Sequence, residues 1–326
     1  MKFNKISLPR YLSLILIYQV LPAHAYKNEI IKQNWEKMQR EYIVLTQNLV
    51  TNGTMQLENT YCHPHWKIFK EKFKQVVLGT VNRNFIKTEA IGNTMNRSGF
   101  GSWQAYETCY LKKCISPETK KLLNKFQESD FFEEPKACKE LNCTANSLAY
   151  QFYIAKVLEQ CKDKKLDMIV EFGGGYGNLI HIFKNIMPDA TFVIIDLPEL
   201  IALQYFFLSS TLPNTQVIVH STVPSYYAPK AIHLMPCYLL ENININADVF
   251  ISTFALTEAP EVVQQIISDK KFFSAPVSYV CGQLDGWQEN FVNQSFLHGT
   301  LRKCFKNIAC HPFHTALHSY EITATN

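Results

Sequence analysis

Glu171, Gly173, Gly175, Gly177 and Asp196 are the residues whose types and spacing best suit them to chemistry. The first four lie in Asp167-Met-Ile-Val-Glu171-Phe-Gly173-Gly174-Gly175-Tyr176-Gly177, an apolar run that ends in an acid and passes at once into glycines. Asn178-Leu-Ile-His-Ile-Phe-Lys184 then sets apolar side chains at helical spacing. The expected elements are strand, tight turn and helix, the opening half of a βαβ unit. Glycine is needed where backbone turns sharply, takes a positive φ, or approaches a ligand closer than a Cβ allows. A second apolar strand, Thr191-Phe-Val-Ile-Ile195, ends at Asp196. An acid at that tip is where a nucleotide-binding sheet grips ribose, each hydroxyl donating to one carboxylate oxygen. The bland alternative is an ordinary tight turn between strand and helix.

Spacing discriminates between nucleotides. The dinucleotide fingerprint G-x-G-x-x-G would put its third glycine at position 178, which is Asn178, and has no use for an acid before the first glycine. A nicotinamide-dependent oxidoreductase is thereby disfavoured. The pattern present, E-x-G-x-G-x-G, resembles motif I of the class I S-adenosylmethionine-dependent methyltransferases. Two further runs narrow the resemblance: Ile195-Asp-Leu-Pro-Glu199 and Phe250-Ile-Ser-Thr-Phe-Ala-Leu-Thr-Glu258. Together the three are similar to the sugar O-methyltransferase family of bacterial saccharide clusters, which reads "EIGGGYG", "VDLPE" and a Ser-x-x-Glu-Met ending at these places. Here the last motif is Ala255-Leu-Thr-Glu258-Ala259; the Glu is kept, and alanines stand for the Ser and the Met. The similarity runs from about His63 to the C-terminus and is specific across the middle third.

That resemblance implies S-adenosyl-L-methionine as cofactor. The turn carrying Glu171, Gly173, Gly175 and Gly177 would hold its methionine part, and Asp196 with Leu197 its ribose. It also implies a saccharide or glycoconjugate acceptor. The implied fold is α/β, a Rossmann-like class I methyltransferase sheet of seven strands with the last antiparallel.

Methyl transfer to a hydroxyl is an in-line displacement that needs an aligned acceptor and a group to remove a proton. Ligands of open α/β sheets sit outside the C-terminal strand ends. Glu258, just past the expected fourth strand, and Asp285, just past the fifth, are therefore the candidates for base or acceptor contact. Glu258 could equally be an acid complementing a helix N-terminus, and Asp285-Gly-Trp also reads as a turn. His311, His314 and His318 invite a metal reading, but Pro312 breaks any helix that would align them, and surface histidines are the simpler reading. No metal is expected.

The elements that would carry these residues can be laid out along the chain. Ile31, Trp35, Met38, Tyr42, Leu45 and Leu49 recur at helical steps. Trp66 to Val77 form a second amphipathic helix whose lysines, Lys67, Lys70, Lys72 and Lys74, read as a solvated face. Asn93–Ser102 is a loop by composition. Helices follow at Trp103–Cys114, Pro117–Gln127 and Ser147–Gln160, the last with Ser147 as N-cap. Residues 26–160 thus make an N-terminal helical cap, and residues 161–326 the S-adenosylmethionine-binding domain. The later strands are placed at Thr215–His220, Asp248–Phe254 and Val277–Cys281. A helix around Gln288–Phe305 then precedes an antiparallel pair at Asn307–Phe313 and His318–Thr323.

Composition sets the outer bounds. At 326 residues, 47% hydrophobic and 18% charged, the chain is globular with ample length for a core. A net charge of +4 over that length gives no argument for nucleic acid, and no nucleic-acid-binding signature is present. The ten cysteines show no C-x-x-C pair; Cys161, Cys237 and Cys281 fall in expected core elements, where a thiol behaves as a small hydrophobe. Lys2, Lys5 and Arg10, then Tyr11–Leu21, then Ala23-His-Ala25 have the order of a secretory signal peptide, with residues 1–25 removed. The apolar core is short for a stable membrane span. The alternative is an amphipathic first helix of a cytoplasmic protein. Export would separate the chain from a cytosolic cofactor, which opens a second function class: an exported methyltransferase-like protein that binds a ligand or partner without catalysis.

Overall fold

The structure, a computed structural model, describes residues 23–51, 61–62, 64–95, 101–132, 136, 141–162, 164–283, 294–312 and 319–326. Residues 1–22, where most of the expected leader falls, lie outside the described residues, and Ala23 to Ala25 open the first helix.

Among the described residues six α-helices precede the first strand: α1 (Ala23–Thr51), α2 (Pro64–Leu78), α3 (Glu89–Met95), α4 (Gly101–Lys113), α5 (Pro117–Leu123) and α6 (Ala145–Gln160). The expected heptad-like stripe of α1 is buried at Ile31, Trp35, Met38, Tyr42 and Leu45. It lies on α8 (Pro198–Thr211) of the sheet region, with Trp35 edge-on to Phe206 at 4.7 Å between ring centroids. Burying a side chain of that size contributes roughly 2 to 3 kcal/mol, and the edge contact about 1 kcal/mol more. The hydroxyl of Tyr42 donates to Glu199 Oε1 at 3.0 Å, so the acid of the 195–199 run fastens the cap. One hydrophobic core runs without a break from α1 through α6 into the sheet.

Some boundaries differ from expectation. Asn93 to Met95 complete α3, and Gly101 and Ser102 already belong to α4, so the 93–102 loop is shorter than composition implies. Thr144, rather than Ser147, caps α6: its side chain accepts from the Ser147 N–H, satisfying a donor that the helix start leaves free.

The sheet has eight strands: β1 (Met168–Phe172), β2 (Thr191–Asp196), β3 (Val217–Val219), β4 (Ile232–Pro236), β5 (Val249–Thr253), β6 (Val277–Gln283), β7 (Asn307–Pro312) and β8 (Ser319–Thr325). Their order is β3-β4-β2-β1-β5-β6-β8-β7. All neighbours pair parallel except β6 with β8 and β7 with β8, so β8 alone is reversed. This is the mostly parallel class I methyltransferase sheet with its last strand antiparallel, and the closing pair is the expected antiparallel one. The count of seven is corrected by β4, a fully buried strand that sequence reading passed over, which leaves β3 as an added edge strand. Helices α7 (Asn178–Ile186) and α8 follow β1 and β2; the short α9 (Ala255–Glu258) and α10 (Glu261–Asp269) follow β5, and α11 (Gln294–Cys304) precedes β7. The three cysteines expected in the core, Cys161, Cys237 and Cys281, are buried. Among the described residues no helix is long and apolar enough to cross a membrane.

Candidate cofactor and acceptor site

The glycine turn sits at the C-terminal end of β1, in the middle of the sheet, where the strand order changes direction and ligands of such sheets bind. Gly173, Gly175 and Gly177 have φ of +78°, +60° and +98°, the left-handed region that side chains with a Cβ rarely enter. At Gly173 there is a second demand. An added Cβ would lie 1.9 Å from the Ala255 Cβ, so the start of α9 packs directly on the turn. Phe254, which precedes it, holds a positive φ of 73°, a conformation that costs free energy and tends to mark functional junctions.

Asp196 ends β2 beside this turn and is only 6% exposed. Its Oδ2 accepts from the Gly175 N–H at 3.1 Å and from Gln204 Nε2 at 2.8 Å. Its Oδ1 accepts from the Leu197 N–H at 2.7 Å, which leaves that oxygen with acceptor capacity. Burial pushes the Asp196 carboxyl up to about 7, against the pull of these donors. Glu171, at the end of β1, is wholly buried, and neither of its carboxylate oxygens has a partner. Burial first, then the charge of Asp196, pushes it up to about 8. A buried polar atom without a partner is costly, so an orphaned carboxyl against a glycine turn is suited to receive a polar ligand. Left-handed glycines, an orphaned acid and a strand-end acid with spare acceptor capacity fit an S-adenosylmethionine-like group.

On the acceptor side, Glu258 is the last residue of α9. Its Oε2 accepts from the Trp66 indole N–H of α2 at 3.1 Å, so an acid past β5 meets the cap rather than the start of its own helix. Burial pushes Glu258 up to about 7, with the Trp66 bond pulling the other way. The cap reaches the same sheet edge at two further points. Tyr61 donates to Glu241 Oε1 at 2.8 Å, and Met95 Sδ lies 3.3 Å from where a Gly175 Cβ would stand. Asp285, His314 and His318 lie outside the described residues, and His311 is exposed on β7. Among the described residues no group of His, Cys, Asp or Glu is placed to hold a metal ion.

Trp66, placed by its sequence on an amphipathic helix, and Met95 and Gln204 were not among the expected site residues. Trp66 and Met95 come from distant helices, and nothing in their spacing announces the contact. Gln204 did leave a signal: it is a lone amide within the apolar run Leu200-Ile-Ala-Leu-Gln-Tyr-Phe-Phe-Leu208, and a buried amide must be bonded.

No family model and no curated protein matches this chain. Solved structures do resemble it in part. The magnesium protoporphyrin IX methyltransferase of Synechocystis PCC 6803 with bound SAM aligns over 55% of this chain and 78% of its own, at 14% identity and a TM-score of 0.40. The mitomycin 7-O-methyltransferase MmcR aligns over 77% and 74%, at 14% identity and 0.42. The pyocyanin biosynthetic protein PhzM aligns over 79% and 68%, at 14% identity and 0.39. At these scores the likenesses carry no argument about substrate or residues, and the class I methyltransferase fold stands on the strand order and the single reversed strand.

Proposed function

We propose that this chain is an S-adenosylmethionine-dependent O-methyltransferase acting on a sugar hydroxyl of a saccharide or glycoconjugate. The observation that carries the proposal is the three left-handed glycines after β1, set against the orphaned Glu171 and the strand-end Asp196. S-adenosylmethionine supplies a methyl group activated by its positively charged sulfur. Glu171 and the turn would hold its methionine end, and Asp196 with Leu197 its ribose. Glu258, in its ionised form, would accept the hydroxyl proton as the methyl group passes from the sulfonium sulfur to the acceptor oxygen, leaving the thioether S-adenosylhomocysteine. A carboxylate with affinity for protons near neutrality suits that step better than an ordinary surface acid. The sugar itself is supported by the motif resemblance at 171–177, 195–199 and 250–258.

A second reading is an exported protein of this fold that binds without turnover. One observation favours it: Glu258 Oε2 is already engaged by the Trp66 indole, which leaves only part of the carboxylate for an acceptor. Methyl transfer from radiolabelled S-adenosylmethionine to a saccharide panel separates the two. Transfer supports the enzyme, and cofactor binding with no transfer to any acceptor supports the second reading. Export is tested by intact mass of protein from its native host: an N-terminus at Tyr26 supports it, and a retained Met1 contradicts it.

A further inference from the structure

Gln204 is fully buried on α8. Its Nε2 donates to Asp196 Oδ2 at 2.8 Å and to the Gly175 carbonyl at 2.9 Å, while its own Oε1 has no partner. Both groups meeting Nε2 are acceptors, so a flipped amide would set oxygen against oxygen; the orientation is fixed. A leucine of similar size would fill the space without orphaning a buried oxygen, so packing alone does not call for glutamine. Gly174 makes part of the room, since a Cβ there would lie 3.3 Å from Gln204 Nε2.

The Gly174 position is also 3.0 Å from Glu171 Oε2, so both acids and the amide converge behind the turn. Two buried carboxyls acting on each other share their titration, and one holds its proton more firmly. Around this pair the described donors go one way. Asp196 faces the N–H groups of Gly174, Gly175 and Leu197 and the Gln204 amide, whereas Glu171 faces Asp196 and has no donor. We propose that Gln204 is a positioning residue that makes Asp196, rather than Glu171, the ionised member of the pair and holds it against the glycine turn, ready to accept from a vicinal diol such as a nucleoside ribose. The diol rests on the cofactor reading above; the assignment of charge does not.

The test titrates S-adenosylhomocysteine into full-length wild type and Gln204→Leu from about pH 6 to about pH 9, bracketing a carboxyl shifted toward neutrality. Without the donor, Asp196 is harder to ionise. The acid-side loss of affinity should therefore move to higher pH by about one unit, which is roughly fivefold weaker binding at the wild-type midpoint and approaches about tenfold further into acid, with the curves converging in alkali. A uniform loss of affinity or a lower Tm with an unmoved pH profile overturns the proposal. A carbon-13 NMR titration of ligand-free protein, assigned with Asp196→Asn, is the second readout. Asp196 should ionise before Glu171 in wild type, and the gap should narrow in Gln204→Leu; an unchanged gap also overturns it. If wild type binds no S-adenosylhomocysteine at any pH, the cofactor reading fails while the NMR titration still decides the role of Gln204.

Discussion

The indole N–H of Trp66 donates to Glu258 Oε2 at 3.1 Å and so joins α2 of the cap to the acid that follows β5. The cap thereby reaches the acid proposed as the base, as well as packing on the sheet region. If Glu258 is the base, Glu258→Gln should leave cofactor affinity nearly intact and lower turnover by about two orders of magnitude, the usual loss with a general base. If the acid only fastens the cap through Trp66, the Gln amide oxygen can still accept that bond, and the change should cost about 1 kcal/mol of stability and spare turnover. Paired calorimetry and methyl-transfer assays decide.

Trp66→Phe examines the same contact from the other end. The indole bond favours the ionised carboxylate, so its loss should raise the Glu258 pKa further. The acid limb of the kcat profile is expected to shift to higher pH, with cofactor Kd unchanged. An unmoved limb would separate Trp66 from the chemistry.

Asp196→Ala removes the strand-end acceptor. Hydrogen bonds to a charged group contribute about 1.5 to 3 kcal/mol each, so cofactor affinity should fall by at least tenfold. Unchanged affinity in a folded variant excludes Asp196 as the ribose contact.

The buried acids also make a statement about stability. Glu171 and Asp196 are both raised, to about 8 and about 7, principally by burial. Raised acids bind protons more tightly in the folded state, so their contribution is fully present below the unfolded value near 4 and is lost as pH rises through neutrality toward 8. The ligand-free protein should accordingly show a Tm that declines between about pH 5 and about pH 8, and Glu171→Gln should flatten the decline. A wild-type Tm that climbs over that interval would contradict the sign.

Gly173→Ala tests the junction between turn and α9. The positive φ alone costs a residue with a Cβ about 1 to 2 kcal/mol, and the Ala255 contact adds to it. Ala255→Gly in the same chain removes the collision but leaves the φ cost, so the double variant should recover part of the loss. Strict additivity by denaturant unfolding would show that the two positions do not meet.

What the sequence revealed follows from how local each signal is. The turn at 171–177 and the strands at 191–196, 249–253 and 277–283 are apolar runs bounded by glycine or acid, and period and punctuation locate them. Strand β4 escaped because Ile232-His-Leu-Met-Pro236 is short, carries a histidine and ends in proline. Its histidine is accommodated by a partner no spacing rule anticipates, since His233 Nδ1 and His220 Nε2 lie 2.9 Å apart. The cap contacts at Glu258, Glu241 and Gly175 were hidden for a different reason. Each joins residues from distant parts of the chain, and only the tertiary fold brings them together.

The most direct test of the central claim is isothermal titration of the full-length protein with S-adenosylhomocysteine and, separately, with NADH. The expected result is saturable one-to-one binding of S-adenosylhomocysteine that Asp196→Ala weakens, with no heat from NADH. Binding of NADH instead, or no binding of S-adenosylhomocysteine by folded wild type, would contradict it.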